Sequence, residues 1–343
     1  MSIKTLFSKL WQKIPAFTPY LWRTINAAGY FGKLALEDRC YVNFGKPVVF
    51  VLQCTNILKN LSAVNQVNQY DVEENISHLM SLARIALEKG DTERATAILE
   101  MGIRICEEYG VYVALPYMYD ILASISFAMG NMEKAEHLLV SAIEKLVQIG
   151  AGEDENQVVD FQLRLARIYS AYEKNELAEI GFRDCLMKQK QKILDGDTST
   201  KTGMLYVNVL FWYGLHKIHS NEHKSAKEFI TSAYDYSLKI KGLSPYQEMV
   251  ILYTLADLHM QLGENNLALQ NMTSAILLGK GIGSTDMPRC YLKLAQIYMN
   301  LDAWKNAKES CQEAIKLGSL FNDTVVTGEA EFTMQKIDKK LVR

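Results

Sequence analysis

Small and apolar residues recur along this chain in a fixed register. Ala83, Ala123, Ala166, Gly214, Ala256 and Ala295 each stand twelve positions before an alanine: Ala95, Ala135, Ala178, Ala226, Ala268 and Ala307. Four positions further come Leu99, Leu139, Phe182, Ile230, Met272 and Cys311, and three beyond those come Gly102, Ala142, Cys185, Ala233, Ala275 and Ala314. The apolar positions around these anchors fall at three- and four-residue spacing. That pattern predicts two amphipathic helices per unit, crossing closely where the side chains are small. Seven positions after the first small residue the chain has Gly90, Gly130, Glu173, Asn221, Gly263 and Asp302. Gly and Asn tolerate the left-handed backbone that ends a helix, so this position predicts the turn between the two helices.

The register is that of the tetratricopeptide helix pair. The fold expected is therefore all-α, a tetratricopeptide (TPR) helix-pair solenoid with lengthened repeats and a C-terminal capping helix. Successive units start 40, 43, 48, 42 and 39 residues apart, against the roughly 34 of the common repeat. Longer units of this kind occur in kinesin-light-chain-like arrays. Polar, Gly-rich stretches at residues 150–157, 195–203 and 279–286 fit as loops. Ser244-Pro245-Tyr246-Gln247 has the capping Ser, first-turn Pro and Gln of a helix start, and Pro116 and Pro288 stand near two others. The expected organisation is a presequence-like segment over residues 1–35 and a spacer over 36–70, a candidate membrane-associated segment. About six units follow over 71–318, and a final helix closes the chain over 319–343.

The first 36 residues carry five basic groups (Lys4, Lys9, Lys13, Arg23, Lys33) and no Asp or Glu. Within residues 1–14, Ile3, Leu6, Phe7, Leu10, Trp11 and Ile14 share one helical face, with the lysines largely opposite. Mitochondrial presequences have this composition. It also suits a helix lying on a membrane surface. No stretch approaches the ~20 apolar residues of a membrane span, the best being PVVFVL at residues 47–52, so membrane association is expected to be peripheral or through a partner.

The net charge of −2 removes the basic excess that nucleic-acid binding requires. The six cysteines include no C-x-x-C pair, so zinc and redox motifs are not expected. Gly279-Lys280-Gly281 lacks phosphate-loop spacing and follows a helix rather than a strand. His216, His219 and His223 have helical spacing, but no further ligand completes a metal set, and they read as surface histidines. No catalytic motif is present. The chain reads as a scaffold without enzymatic activity, cofactor or metal.

In such arrays the first helices line a groove. Its expected lining comprises Arg84, Tyr117, Asp120, Asp160, Arg167, Asn208, Tyr253, Asp257, Arg289 and Gln296 among the polar residues. Met80, Phe127, Leu163, Phe211, Leu215 and Leu292 stand among the apolar ones. This mixed surface suits an extended peptide or a partner helix. The Lys/Asn/Asn/Lys/Arg set of chaperone-type carboxylate clamps is absent from these positions.

Three segments carry a closer resemblance: YMYDILASISFAMGNMEKAEHLL at residues 117–139, LRLARIYSAYEKNELAEIGF at 163–182, and LADLHMQLGENNLALQNM at 255–272. They resemble the mitochondrial tetratricopeptide repeat protein 19 family over roughly residues 75–335. The resemblance implies a protein of the mitochondrial inner membrane, on the matrix side. It implies binding to respiratory complex III and clearance of fragments of its Rieske iron–sulfur subunit. The membrane segment expected of that family is not evident here. The other function compatible with the repeat length is a cytosolic cargo or peptide adaptor of kinesin-light-chain type, although no heptad coiled coil precedes the array.

Overall fold

The computed structural model describes residues 69–240 and 242–341. The expected presequence-like segment of residues 1–35 and nearly all of the 36–70 spacer lie outside these described residues, as do Cys40 and Cys54. The described chain is helical throughout, in two compact units divided between Lys174 and Asn175.

The first unit contains α1 (Gln69–Glu88), α2 (Thr92–Glu108), α3 (Leu115–Ala128), α4 (Met132–Gln148) and α5 (Asn156–Ala171), with a 3₁₀ turn at Tyr112–Ala114 before α3. The second contains α6 (Asn175–Leu194), α7 (Thr200–His219), α8 (His223–Ser237), α9 (Pro245–Gln261), α10 (Asn265–Gly281), α11 (Met287–Asn300), α12 (Trp304–Leu320) and α13 (Thr324–Leu341). First and second helices alternate along the chain, as the repeat predicts.

The repeat anchors form the core. Every anchor Ala, Cys and large apolar residue identified from the spacing is at most 2% exposed, and Gly102 and Gly214 are buried as well. The small residues are required by close approach. A Cβ on Gly102 of α2 would sit 2.8 Å from Cε of Met118 on α3, where one helix pair packs on the next. The free thiols of Cys106, Cys185, Cys290 and Cys311 are core residues, and burial pushes Cys106 and Cys290 up to about 12. They behave as small hydrophobes rather than nucleophiles.

The turns follow the same rule in all six units. Gly90, Gly130 and Gly263 have φ near +75°, and Glu173, Asn221 and Asp302 lie between 55° and 60°. In each turn the next residue's N–H reaches back five residues to a first-helix carbonyl: Asp91 to Ala86 (2.9 Å), Asn131 to Ser126 (2.8 Å), Lys174 to Tyr169 (2.9 Å), Glu222 to Lys217 (2.8 Å), Glu264 to His259 (2.8 Å) and Ala303 to Tyr298 (2.9 Å). This bond satisfies a carbonyl that the helix end would leave orphaned. Asp91 and Asn131 then cap the second helices through their side chains. Ser244 and Gln247 form the reciprocal capping box expected of them.

Several local expectations are corrected: of the stretches expected as loops, residues 156–157 already belong to α5 and 200–203 to α7. Gly279, Lys280 and Gly281 are the last turn of α10 rather than a loop, because Gly279 packs against the sulfurs of Met249 and Met287. His216 is not a surface histidine: it is 2% exposed, beside the Phe182 ring at 5.4 Å. After α12, α13 covers Leu292, Ala314 and Cys311 with Val326, Ala330 and Ile337, and turns lysines outward. No described helix is long and apolar enough to cross a membrane.

Candidate interaction faces on the first helices

In the first unit, four of the expected lining residues come together around one they did not include. Arg164 of α5 forks between two carboxylates. Its Nη1 donates to Asp120 Oδ1 on α3 at 2.5 Å, and its Nη2 donates to Asp160 Oδ2 one turn earlier at 3.0 Å. Tyr117 of α3 and Gln157 of α5 meet at one end of this group, and Arg167 extends it at the other. Burial pushes the Asp120 carboxyl up to about 6, with Asp160 adding to the rise and Arg164 opposing it. Burial and the like charge of Arg164 pull the Arg167 guanidinium well below its ordinary range. Arg84 stands apart from this group, paired with Glu88 on its own helix at 2.7 Å.

In the second unit, Asp257 of α9 is bound by Lys293 of α11 at 2.7 Å and by Gln261 Nε2 at 3.0 Å. Arg289 of α11 reaches Asp323, just before α13, at 3.4 Å. Asn208, Tyr253 and Gln296 are half-buried on the first-helix faces. Leu163, Phe211, Leu215 and Leu292, expected on the lining, are instead buried in the packing between helices.

Arg164 and Lys293 occupy the same repeat position, two residues before Ala166 and Ala295. Each reaches back to an acid on the preceding first helix. These ties pair Asp120, Asp160 and Asp257 within the chain. The Asp160–Arg164 spacing of four residues is the sequence signal for the first of them. Nothing in the sequence pattern marks Lys293.

A second polar group that the spacing does not reveal lies in the second unit. Glu179 of α6 accepts from the Tyr213 hydroxyl and pairs with Lys217 at 3.1 Å, with His216 Nε2 at 3.7 Å. These bonds hold the Glu179 carboxyl below its usual range against the opposing effect of burial. Burial lowers the pKa of His216. The group staples α6 to α7 and offers no open coordination or catalytic geometry. No cluster of three or more His, Cys, Asp or Glu side chains that could hold a metal occurs among the described residues.

Comparison with known proteins agrees with the helix-pair architecture. The tetratricopeptide repeat model matches residues 288–317, and that of anaphase-promoting complex subunit 5 matches residues 210–287. The chain is similar to human tetratricopeptide repeat protein 19, mitochondrial, at 25% identity over 79% of this chain and 74% of the relative. The Drosophila melanogaster homologue is 19% identical over 78% of this chain and 73% of its own. Among solved structures, a Rap protein complexed with competence and sporulation factor shares the fold, with TM-score 0.55 and 13% identity, covering 96% of this chain and 87% of that one. A STAND protein with a tetratricopeptide repeat sensor from Pyrococcus horikoshii does so with TM-score 0.57 and 16% identity, covering 86% of this chain and 45% of that one.

Proposed function

We propose that this chain is a mitochondrial, non-enzymatic scaffold that binds respiratory complex III and promotes clearance of fragments of its Rieske iron–sulfur subunit, working at the matrix side of the inner membrane. The observation that carries this reading is the similarity to mitochondrial tetratricopeptide repeat protein 19 across 79% of the chain. The basic, acid-free first 36 residues support the compartment independently. The half-buried first-helix faces support the mode of action: capture of an extended or helical segment by a polar surface whose acids are already paired within the chain.

Native gel electrophoresis of detergent-solubilised mitochondria, blotted for this chain and for a complex III subunit, tests the reading. Co-migration with the complex III dimer is expected. Absence from mitochondria would overturn it in favour of a cytosolic cargo adaptor. Presence in mitochondria without co-migration would overturn the partner and leave the compartment standing.

A further inference from the structure

Helix α13 stands in the register of a seventh first helix. Gly318 of α12 faces Thr327 as Gly279 of α10 faces Met287. Lys308 of α12 reaches Asp338 at 2.7 Å as Glu179 of α6 is reached by Lys217 at 3.1 Å. Counted through the repeat, both ties put Gln335 where the six repeats have Ala or Gly. Gly328 takes the place seven residues earlier, where the six first helices bury Ile76, Pro116, Val159, Val207, Met249 and Pro288. Gly328, Glu331 and Gln335 are all exposed, so α13 is not shaped to receive a second helix of its own repeat.

Its outward face carries a different feature. Phe332, 59% exposed, is the most exposed aromatic side chain among the described residues, and Val325, two turns earlier on the same row, is 44% exposed. One turn before Phe332 stands Gly328. The glycines at 102, 203, 214, 279 and 318 lie inside helices, and a Cβ on each would meet a side-chain atom at 2.9 Å or less. Close approach explains all five. A Cβ on Gly328 would meet nothing within 4 Å. A mid-helix glycine weakens its helix, and here the single chain offers no steric return for it. A second backbone crossing at this point supplies one.

The charges choose the partner. On one edge of the stripe Glu329 precedes Lys336 by two turns, and neither makes an ion pair among the described residues. The Lys336 ammonium stands over the Phe332 ring at 4.3 Å. When two copies of one helix pair antiparallel, like edges meet and run in opposite directions. An edge that is acidic first and basic later then matches itself. A parallel pair sets this edge against the one bearing Glu331 and Gln335, and the match is lost.

We propose that α13 pairs antiparallel with α13 of a second copy of this chain, about a two-fold axis. Each Phe332 packs over the other copy's Gly328, and each Lys336 pairs with the other copy's Glu329. Lys339, on the row of Phe332, falls beyond the crossing, where the two helices have diverged. An unrelated partner would account for the exposed ring but not for an edge complementary to itself. The pairing rests on α13 alone and stands whether or not the complex III reading holds.

Sedimentation velocity of the purified full chain across micromolar concentrations tests the proposal, and a reversible dimer is expected. F332E and G328L should each raise its dissociation constant by at least about tenfold, with circular dichroism unchanged. G328L should do so while raising the melting temperature of the dilute monomer, since Leu is the better helix former. E329K and K336E should each weaken the dimer, and E329K/K336E should restore it to within about threefold of wild type. A chain that stays monomeric would overturn the proposal in favour of a different partner or none. A dimer indifferent to F332E or to G328L, or charge changes whose losses add in the double variant, would overturn it as well.

Discussion

Gly214 and Ile230 meet at the crossing of α7 and α8 with no space between them. A Cβ on Gly214 would overlap Cγ1 of Ile230, lie 3.0 Å from its Cδ1 and stand 3.3 Å from the carbonyl oxygen of Ala226. The other five repeats have Ala at this position. Helix propensity alone predicts that Gly214→Ala stabilises by about 1 kcal/mol. The packing predicts the reverse, a loss of about 1–3 kcal/mol, because Ile230 is fully buried and stiff at its β-branch. Chemical denaturation of G214A and G214A/I230V decides between them. The second substitution, which removes a methyl group, should recover part of the loss.

The turn position carries two opposite expectations. Gly263→Ala places a side chain at φ +76° and should cost about 1 kcal/mol. Asp302→Gly relieves a strained φ of 55° and should be neutral or stabilising by up to about 1 kcal/mol, the relief exceeding or matching the added flexibility of the unfolded chain. Thermal melts of the two variants should move in opposite directions or, at the least, differ in that order.

Arg164 holds two carboxylates that are largely withdrawn from water, at 18% and 35% side-chain exposure. Arg164→Met should therefore destabilise by about 2–4 kcal/mol, through the unpaired acids it leaves behind. Asp120→Asn in the same chain should restore part of that loss. A double-mutant cycle in denaturant gives the coupling directly, and additivity of the two changes would refute the fork as an energetic unit.

Asp120 and His216 give opposite pH dependences. The folded-state pKa of Asp120 is raised to about 6, so its contribution to stability is present below about pH 4 and is lost as pH rises through 6. Relative to wild type, Asp120→Asn should gain about 1–3 kcal/mol between pH 4 and 7. The folded-state pKa of His216 is lowered, so its contribution is present above its ordinary pKa near 6.5 and is lost as pH falls below it. His216→Gln should flatten the decline of stability between pH 7 and 5. Urea titrations across this range, read as variant minus wild type, check both signs.

On the mitochondrial reading proposed above, deletion of residues 1–33 should abolish import of the chain into isolated, energised mitochondria, because a basic, acid-free stretch is drawn by the membrane potential. Import unchanged by the deletion would place the address elsewhere. A full-length variant in which only Lys4, Lys9, Lys13 and Arg23 are changed to Gln separates charge from apolar content.

The helix-pair architecture, the six units and their turns follow from residue order alone. They depend on local matters: a 3.6-residue period, a small residue where two backbones cross, and a left-handed residue where the chain reverses. That is why Ala83 to Ala314 can be placed in the core by counting, and why Glu173 and Asp302 can be assigned to turns despite their chemistry. Which lining residues remain available is a property of the folded chain. Asp120, Asp160 and Asp257 read in sequence as partner contacts, but Arg164 and Lys293 reach Asp120 and Asp257 from neighbouring first helices, and no local pattern records a contact 36 or 44 residues away. His216 escapes a sequence reading for the same reason, because its burial depends on Phe182 of the preceding helix. On α6 the repeat register explains the inward positions Ala178, Phe182 and Cys185 and leaves the outward ones open. The exposure of Ile180, Met187 and Leu194 in the folded chain is what shows that no described residue covers them.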